Sequence, residues 1–156
     1  MRVLGIDPGL NNTGFAVLEQ NPKSNIIVQI KSGVIKSAGT LHVSQKLYNI
    51  FYNLDEIITE YQPSCVAIEE IFVNSNSKTS LSLGFARGAI LTSIGKHSLK
   101  TIDLAPNKVK KTIVGYGKAH KDQLQKMLSF VIPGIYFRSG DEADAIAIAY
   151  AGLVLH

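Results

Sequence analysis

Hydrophobic and polar positions divide this chain into segments of two periods. Residues 2–7 (RVLGID), 13–19 (TGFAVLE) and 26–36 (IIVQIKSGVIK) are short apolar or alternating runs separated by Gly, Asn, Pro and Ser. Alternation is clearest at Val28, Gln29, Ile30 and Lys31, where successive side chains face opposite sides of a sheet. The three runs read as consecutive strands joined by hairpin turns. From Leu47 the period changes: Ile50, Phe51, Leu54, Ile57, Ile58 and Tyr61 recur at helical spacing until Pro63 ends the pattern. A buried strand is predicted over residues 65–72 (CVAIEEIF), a helix over about 79–96 and a fifth strand over 99–104 (LKTIDL). Helices at 106–114 and 119–130 precede a closing helix, DEADAIAIAYAGLVL, that is apolar nearly all round.

Three antiparallel strands followed by helix, strand, helix, strand and helices describe an α/β layered domain with a mixed five-stranded sheet. This is the element order of a ribonuclease-H-like fold. At 156 residues and 46% hydrophobic content, the chain suffices for one sizeable core and is short for two domains, so residues 1–156 read as a single domain. No apolar run approaches the roughly 20 residues of a membrane span. The N-terminus breaks at Asp7 and Pro8 before any signal-peptide core develops. A cytoplasmic location with no membrane partner is the resulting expectation.

Charge adds a partner class. The net charge is +4, but residues 96–123 hold seven lysines against Asp103 and Asp122, so the positive charge is concentrated in one segment. Such a segment is compatible with nucleic acid. Cys65 lies in an apolar strand with no base near it in sequence and reads as a core residue. His97 and His120, inside the basic segment, read as surface or phosphate-contact residues.

The acids carry the chemistry. Asp7 ends the first strand, and Glu69 and Glu70 interrupt a buried one. Because side chains alternate, only one of these two glutamates can share a site with Asp7. Asp141 and Asp144 stand three apart at the start of the last helix, and therefore on one helical face. Each has a plainer reading, Asp7 as a turn former and Asp141 as a helix cap. Converging carboxylates repel one another unless divalent cations neutralise them, and oxygen ligands favour hard ions such as Mg²⁺ or Mn²⁺. Two such ions support phosphodiester hydrolysis.

The segments GIDPGLNNTGFAV, AIEEIF, LGFARG, APNKVKKTIVGYGKAHKDQ and DEADAIAIA together resemble, in order and approximate spacing, the RuvC family of bacterial Holliday junction resolvases, from Arg2 to about Ala151. The resemblance implies a homodimer that binds four-way junction DNA and makes paired symmetric nicks using Mg²⁺, with two ions per active site. It places the family's catalytic and metal-binding acids on Asp7, Glu69, Asp141 and Asp144, choosing Glu69 over Glu70 and leaving Glu142 as an additional acid of open role. It implies a base-stacking aromatic at Phe72, DNA-facing lysines at Lys110 and Lys121, and a RuvA–RuvB branch-migration complex as partner. Gly84 and Gly88 permit close helix packing, either at a dimer interface or on the sheet of the same subunit.

Two other classes remain to be weighed. A fragment of the sugar-kinase, actin and Hsp70 ATPase group also opens with an Asp and a glycine turn, but needs a second domain for which the chain has no room. A non-cleaving junction-binding module would keep the lysines and have no use for four acids. Another ribonuclease-H-like group, of resolvase-like proteins linked to RNA processing, fits the lysine segment and DEADAIAIA less well.

Overall fold

The computed structural model describes residues 1–71 and 77–156. Strands β1 (Arg2–Asp7), β2 (Asn12–Gln20) and β3 (Ile27–Lys36) lead into α1 (Val43–Tyr61), β4 (Cys65–Glu69) and α2 (Ser77–Lys96). Strand β5 (Lys100–Leu104) and helices α3 (Pro106–Val114), α4 (Lys121–Val131) and α5 (Gly140–Leu155) complete the order. The sheet runs β3-β2-β1-β4-β5. The first three strands pair antiparallel with one another, while β4 lies parallel to β1 and β5 parallel to β4.

Alternation sorts the strands' side chains into two cores. Val3, Ala16, Leu18, Cys65 and Ala67 pack beneath α5, α3 and α4, whereas Leu4, Ile6, Val17, Val66 and Ile68 pack beneath α1 and α2. Cys65 is fully buried, as its apolar strand predicts, and burial pushes its thiol pKa up.

Small residues let α5 lie directly on the sheet. A Cβ added at Gly5 of β1 would overlap the Ala145 carbonyl, and one added at Gly14 of β2 would overlap that of Asp141. Ala143, Ala145, Ala147, Ala149 and Ala151 of α5 are all buried. This close seat explains why the last helix is apolar nearly all round.

Two boundaries differ by more than two residues from the sequence reading. The strand expected over residues 65–72 ends at Glu69, because Glu69 pairs with Leu104, the last residue of β5, and among the described residues the ladder goes no further. Only the Glu70 N–H still reaches across, to the Leu104 carbonyl at 3.0 Å. Helix α1 begins at Val43, ahead of its first apolar repeat, with the Gln45 side chain accepting the His42 N–H at 3.0 Å. At the far end of the same helix, Asp55 binds Lys96 Nζ at 2.7 Å and His97 Nε2 at 2.6 Å. His97 is therefore held by a carboxylate and does not face solvent as a free phosphate contact. No helix among the described residues is long and apolar enough to cross a membrane.

Candidate active site

The parity of β1 and β4 decides which acids meet. Asp7 continues the Val3 and Gly5 side of β1, and Glu69 continues the Cys65 and Ala67 side of β4, so both lie on the α5 face. Glu70 has the opposite parity. Helix α5 brings Asp141 and Asp144 to the same place, since its first turn rests on Gly14, the register partner of Asp7. The N-terminus of α5 is capped by Ser139, whose Oγ accepts the Glu142 N–H at 3.2 Å.

Electrostatics show the convergence. Burial, and then the charges of Glu69, Asp144 and Asp141, push the Asp7 pKa up to about 7. Burial and Asp144 likewise raise Glu69, while Lys110 and Lys121 pull it down. The Lys121 Nζ donates to Asp144 Oδ2 at 2.7 Å, and that bond raises the lysine's own pKa. A cleft beside the acids is lined by Glu69, Asp144, Lys110, Lys121, Val109 and Leu124.

The structure thus brings together Asp7, Glu69, Asp141 and Asp144 and sets both Lys110 and Lys121 at their rim. Phe72 lies outside the described residues. Among those residues no three acid, histidine or cysteine side chains already stand at ligand spacing. The carboxylates are near enough to feel each other's charge without being drawn onto a common centre. Their chemistry nonetheless fits a hard divalent cation: the donors are all oxygens, burial and the other acids' charges raise the Asp7 pKa, and an ammonium group sits against Asp144.

Several supporting residues carried no recognisable sequence signal. Arg87 of α2 donates to the Glu69 carbonyl at 2.8 Å and also binds Asp103, which fixes the end of β4. Glu142 turns away from the acids, and its Oε2 accepts the Arg138 N–H at 3.0 Å. Gly84 and Gly88 do not pack on their own sheet, since a Cβ at either would meet nothing within 4 Å. They line an apolar groove between α1 and α2 with Leu47, Tyr48, Phe51 and Phe85.

Comparison with known proteins bears on the family and the fold. The model of the family described as crossover junction endodeoxyribonuclease RuvC matches residues 3–152. The sequence is 46% identical over 155 residues to the crossover junction endodeoxyribonuclease RuvC of Rickettsia massiliae, covering 99% of this chain and 98% of that one. The corresponding protein of Rickettsia bellii is also 46% identical, with the same coverage. Among solved structures, Thermus thermophilus RuvC matches with a TM-score of 0.88 at 26% identity, covering 97% of this chain and 92% of that one. T. thermophilus RuvC in complex with Holliday junction substrate matches with a TM-score of 0.89, again at 26% identity and over the same shares of the two chains. The fold is ribonuclease-H-like, as the element order predicts.

Proposed function

The chain belongs to the RuvC family of crossover junction endodeoxyribonucleases, and from that premise we propose that it resolves four-way DNA junctions by paired, symmetric nicks in recombination and repair. The whole chain acts as one nuclease domain in the cytoplasm. The observation that carries this reading is the gathering of Asp7, Glu69, Asp141 and Asp144 from the ends of three separate elements, with Lys110 and Lys121 on their rim.

In this reading the four acids hold two Mg²⁺ ions, or Mn²⁺ in their place. When bound, such ions lower the pKa of an attacking water and stabilise the leaving oxygen. The chain's own residues supply the rest. Asp7 and Glu69 sit on neighbouring strands of a hydrogen-bonded sheet, so their spacing is held by backbone and not by flexible loops. Asp141 and Asp144 stand on a capped helix seated against that sheet. Lys110 and Lys121 place positive charge where a backbone phosphate must approach otherwise repulsive carboxylates. Phe72, three residues beyond Glu69, stacks on a base near the junction centre.

Two nicks in strands of like polarity require two sites related by a two-fold axis, and hence a homodimer. The apolar groove of α1 and α2 supports pairing there. Phe85, Tyr48 and Leu81 are exposed on these helices, and the groove's glycines leave room for a facing helix. The family relationship further supports a RuvA–RuvB branch-migration complex as partner.

The test incubates purified protein with a synthetic four-way junction, a matched linear duplex and ATP, with and without Mg²⁺. Symmetric nicking of the junction alone is the expected result. ATP hydrolysis without nicking, or binding with no cleavage in either condition, would overturn it.

A further inference from the structure

Glu142 follows Asp141 directly in sequence, yet its carboxylate does not join the acidic group. On a helix it projects about 100° from Asp141 and 200° from Asp144, and it points toward the edge strand β3. There its Oε2 accepts the Arg138 N–H at 3.0 Å and the Ser32 hydroxyl at 3.4 Å. The Ser32 Oγ in turn accepts the Gln29 Nε2 at 2.9 Å. Gln29 then closes the circuit on the segment before α5. Its Nε2 also donates to the Tyr136 carbonyl at 2.8 Å, and its Oε1 accepts the Tyr136 N–H at 2.9 Å.

The Gln29 amide therefore pairs with Tyr136 as a neighbouring strand's backbone would. Gln29, Ser32, Glu142, Arg138 and Tyr136 form one hydrogen-bonded chain, closed along the main chain from Tyr136 to Arg138, that joins β3 to the α4–α5 connection. The connection also packs Ile132, Ile135 and Phe137 on the core, turns at Gly134 and meets α5 at the Ser139 cap. Gly5, Gly14 and Gly152 seat the body of α5 on the sheet and Lys121 ties Asp144 to α4. Among the described residues, the Glu142 carboxylate adds the side-chain hydrogen bond that ties the first turn of α5 to the edge strand. Asp141, the residue between this anchor and the cap, inherits the constraint.

We infer that Glu142 is a positioning residue, which latches the α4–α5 connection to Ser32 of β3 and so fixes Asp141 in register with Asp7. The inference rests on the junction-resolving function proposed above, and it assigns the adjacent acid a task other than metal ligation. Partners bonded directly to a ligand change metal affinity by about 10- to 100-fold when removed, and Glu142, which acts through the backbone next to Asp141, should fall at the lower end of that range.

The test compares Glu142→Ala, Glu142→Gln and Gln29→Ala with the unaltered protein. Mn²⁺ binding is followed by calorimetry without DNA, junction affinity is measured in EDTA, and single-turnover nicking is measured in Mg²⁺. Glu142→Ala and Gln29→Ala should each weaken Mn²⁺ binding by about tenfold and slow nicking, while junction affinity stays within about twofold. Glu142→Gln keeps an acceptor oxygen and should restore most of the binding. Unchanged Mn²⁺ binding in Glu142→Ala overturns the inference. So does a Gln variant as impaired as the Ala variant, which would make the carboxylate a ligand itself. Gln29→Ala, which removes no charge, separates the latch from general loss of acidity. If the unaltered protein binds Mn²⁺ but leaves the junction whole, the proposed function fails while the Mn²⁺ comparison still decides the latch.

Discussion

The Lys121 ammonium rests 2.7 Å from an Asp144 carboxylate oxygen, bridging α4 to the acidic end of α5. One lysine thus supplies the only direct ionic partner that the four converging acids have among the described residues. Burial and the charges of the other three acids disfavour ionisation of Asp7, so that its pKa rises to about 7.

Asp7→Asn should abolish nicking, by about 100-fold or more, while leaving junction binding largely intact, as expected when one group that organises transition-state charge is lost. Retained cleavage would remove Asp7 from the metal site.

The same substitution should stabilise the metal-free protein. Asp7 has its pKa raised from 3.8 to about 7 on folding, so the folded state binds the extra proton. Below pH 3.8 the group is neutral in both states and costs nothing; the cost grows as pH rises toward 7 and is complete above it. Its size is on the order of 4 kcal/mol, and Asn removes part of that. In EDTA at pH 8 the variant should melt several degrees higher, at pH 4 by little, and Mg²⁺ should narrow the gap. The measurement is a thermal melt at each pH.

Lys110→Ala should weaken junction binding and reduce the slope of log affinity against log salt by about 0.9, the value for one lost phosphate contact. An unchanged slope would return Lys110 to the solvated helix face.

Gly14→Ala places a methyl group against the Asp141 carbonyl. The expected loss is about 1 to 3 kcal/mol of stability, the usual range for overpacking. Nicking should fall further than stability explains, because the displaced turn carries Asp141. Denaturant titration and single-turnover kinetics separate the two effects.

Phe85→Asp should convert a dimer to a monomer in light scattering without unfolding it, since the ring is 41% exposed. Paired nicking should be lost with it. A variant that remains dimeric would exclude the α1–α2 groove as the interface.

Most elements were legible because their periods differ: alternation at Val28 to Lys31, helical spacing from Ile50 to Tyr61. The overrun past Glu69 arose because apolar composition continues through Ile71 whereas the ladder partner stops at Leu104. The acids were legible through position, each near an element's end; strand parity admitted only one of Glu69 and Glu70, and the family resemblance chose Glu69, which lies on the α5 face with Asp7. The role of Glu142 was not legible, since its partner Ser32 lies 110 residues away and two neighbouring acids on a helix look alike in sequence. Arg87 was hidden similarly, for its target is the backbone of Glu69 and carries no side-chain signature.

The two cores lie on opposite faces of one sheet, with the acids over one and the glycine-lined groove over the other. In the proposed dimer the sheet is therefore a ruler. Five hydrogen-bonded strands, far stiffer than any loop, set the separation between the two cutting centres. The symmetry of the incisions then becomes a dimension of the protein, and the junction must open to match it.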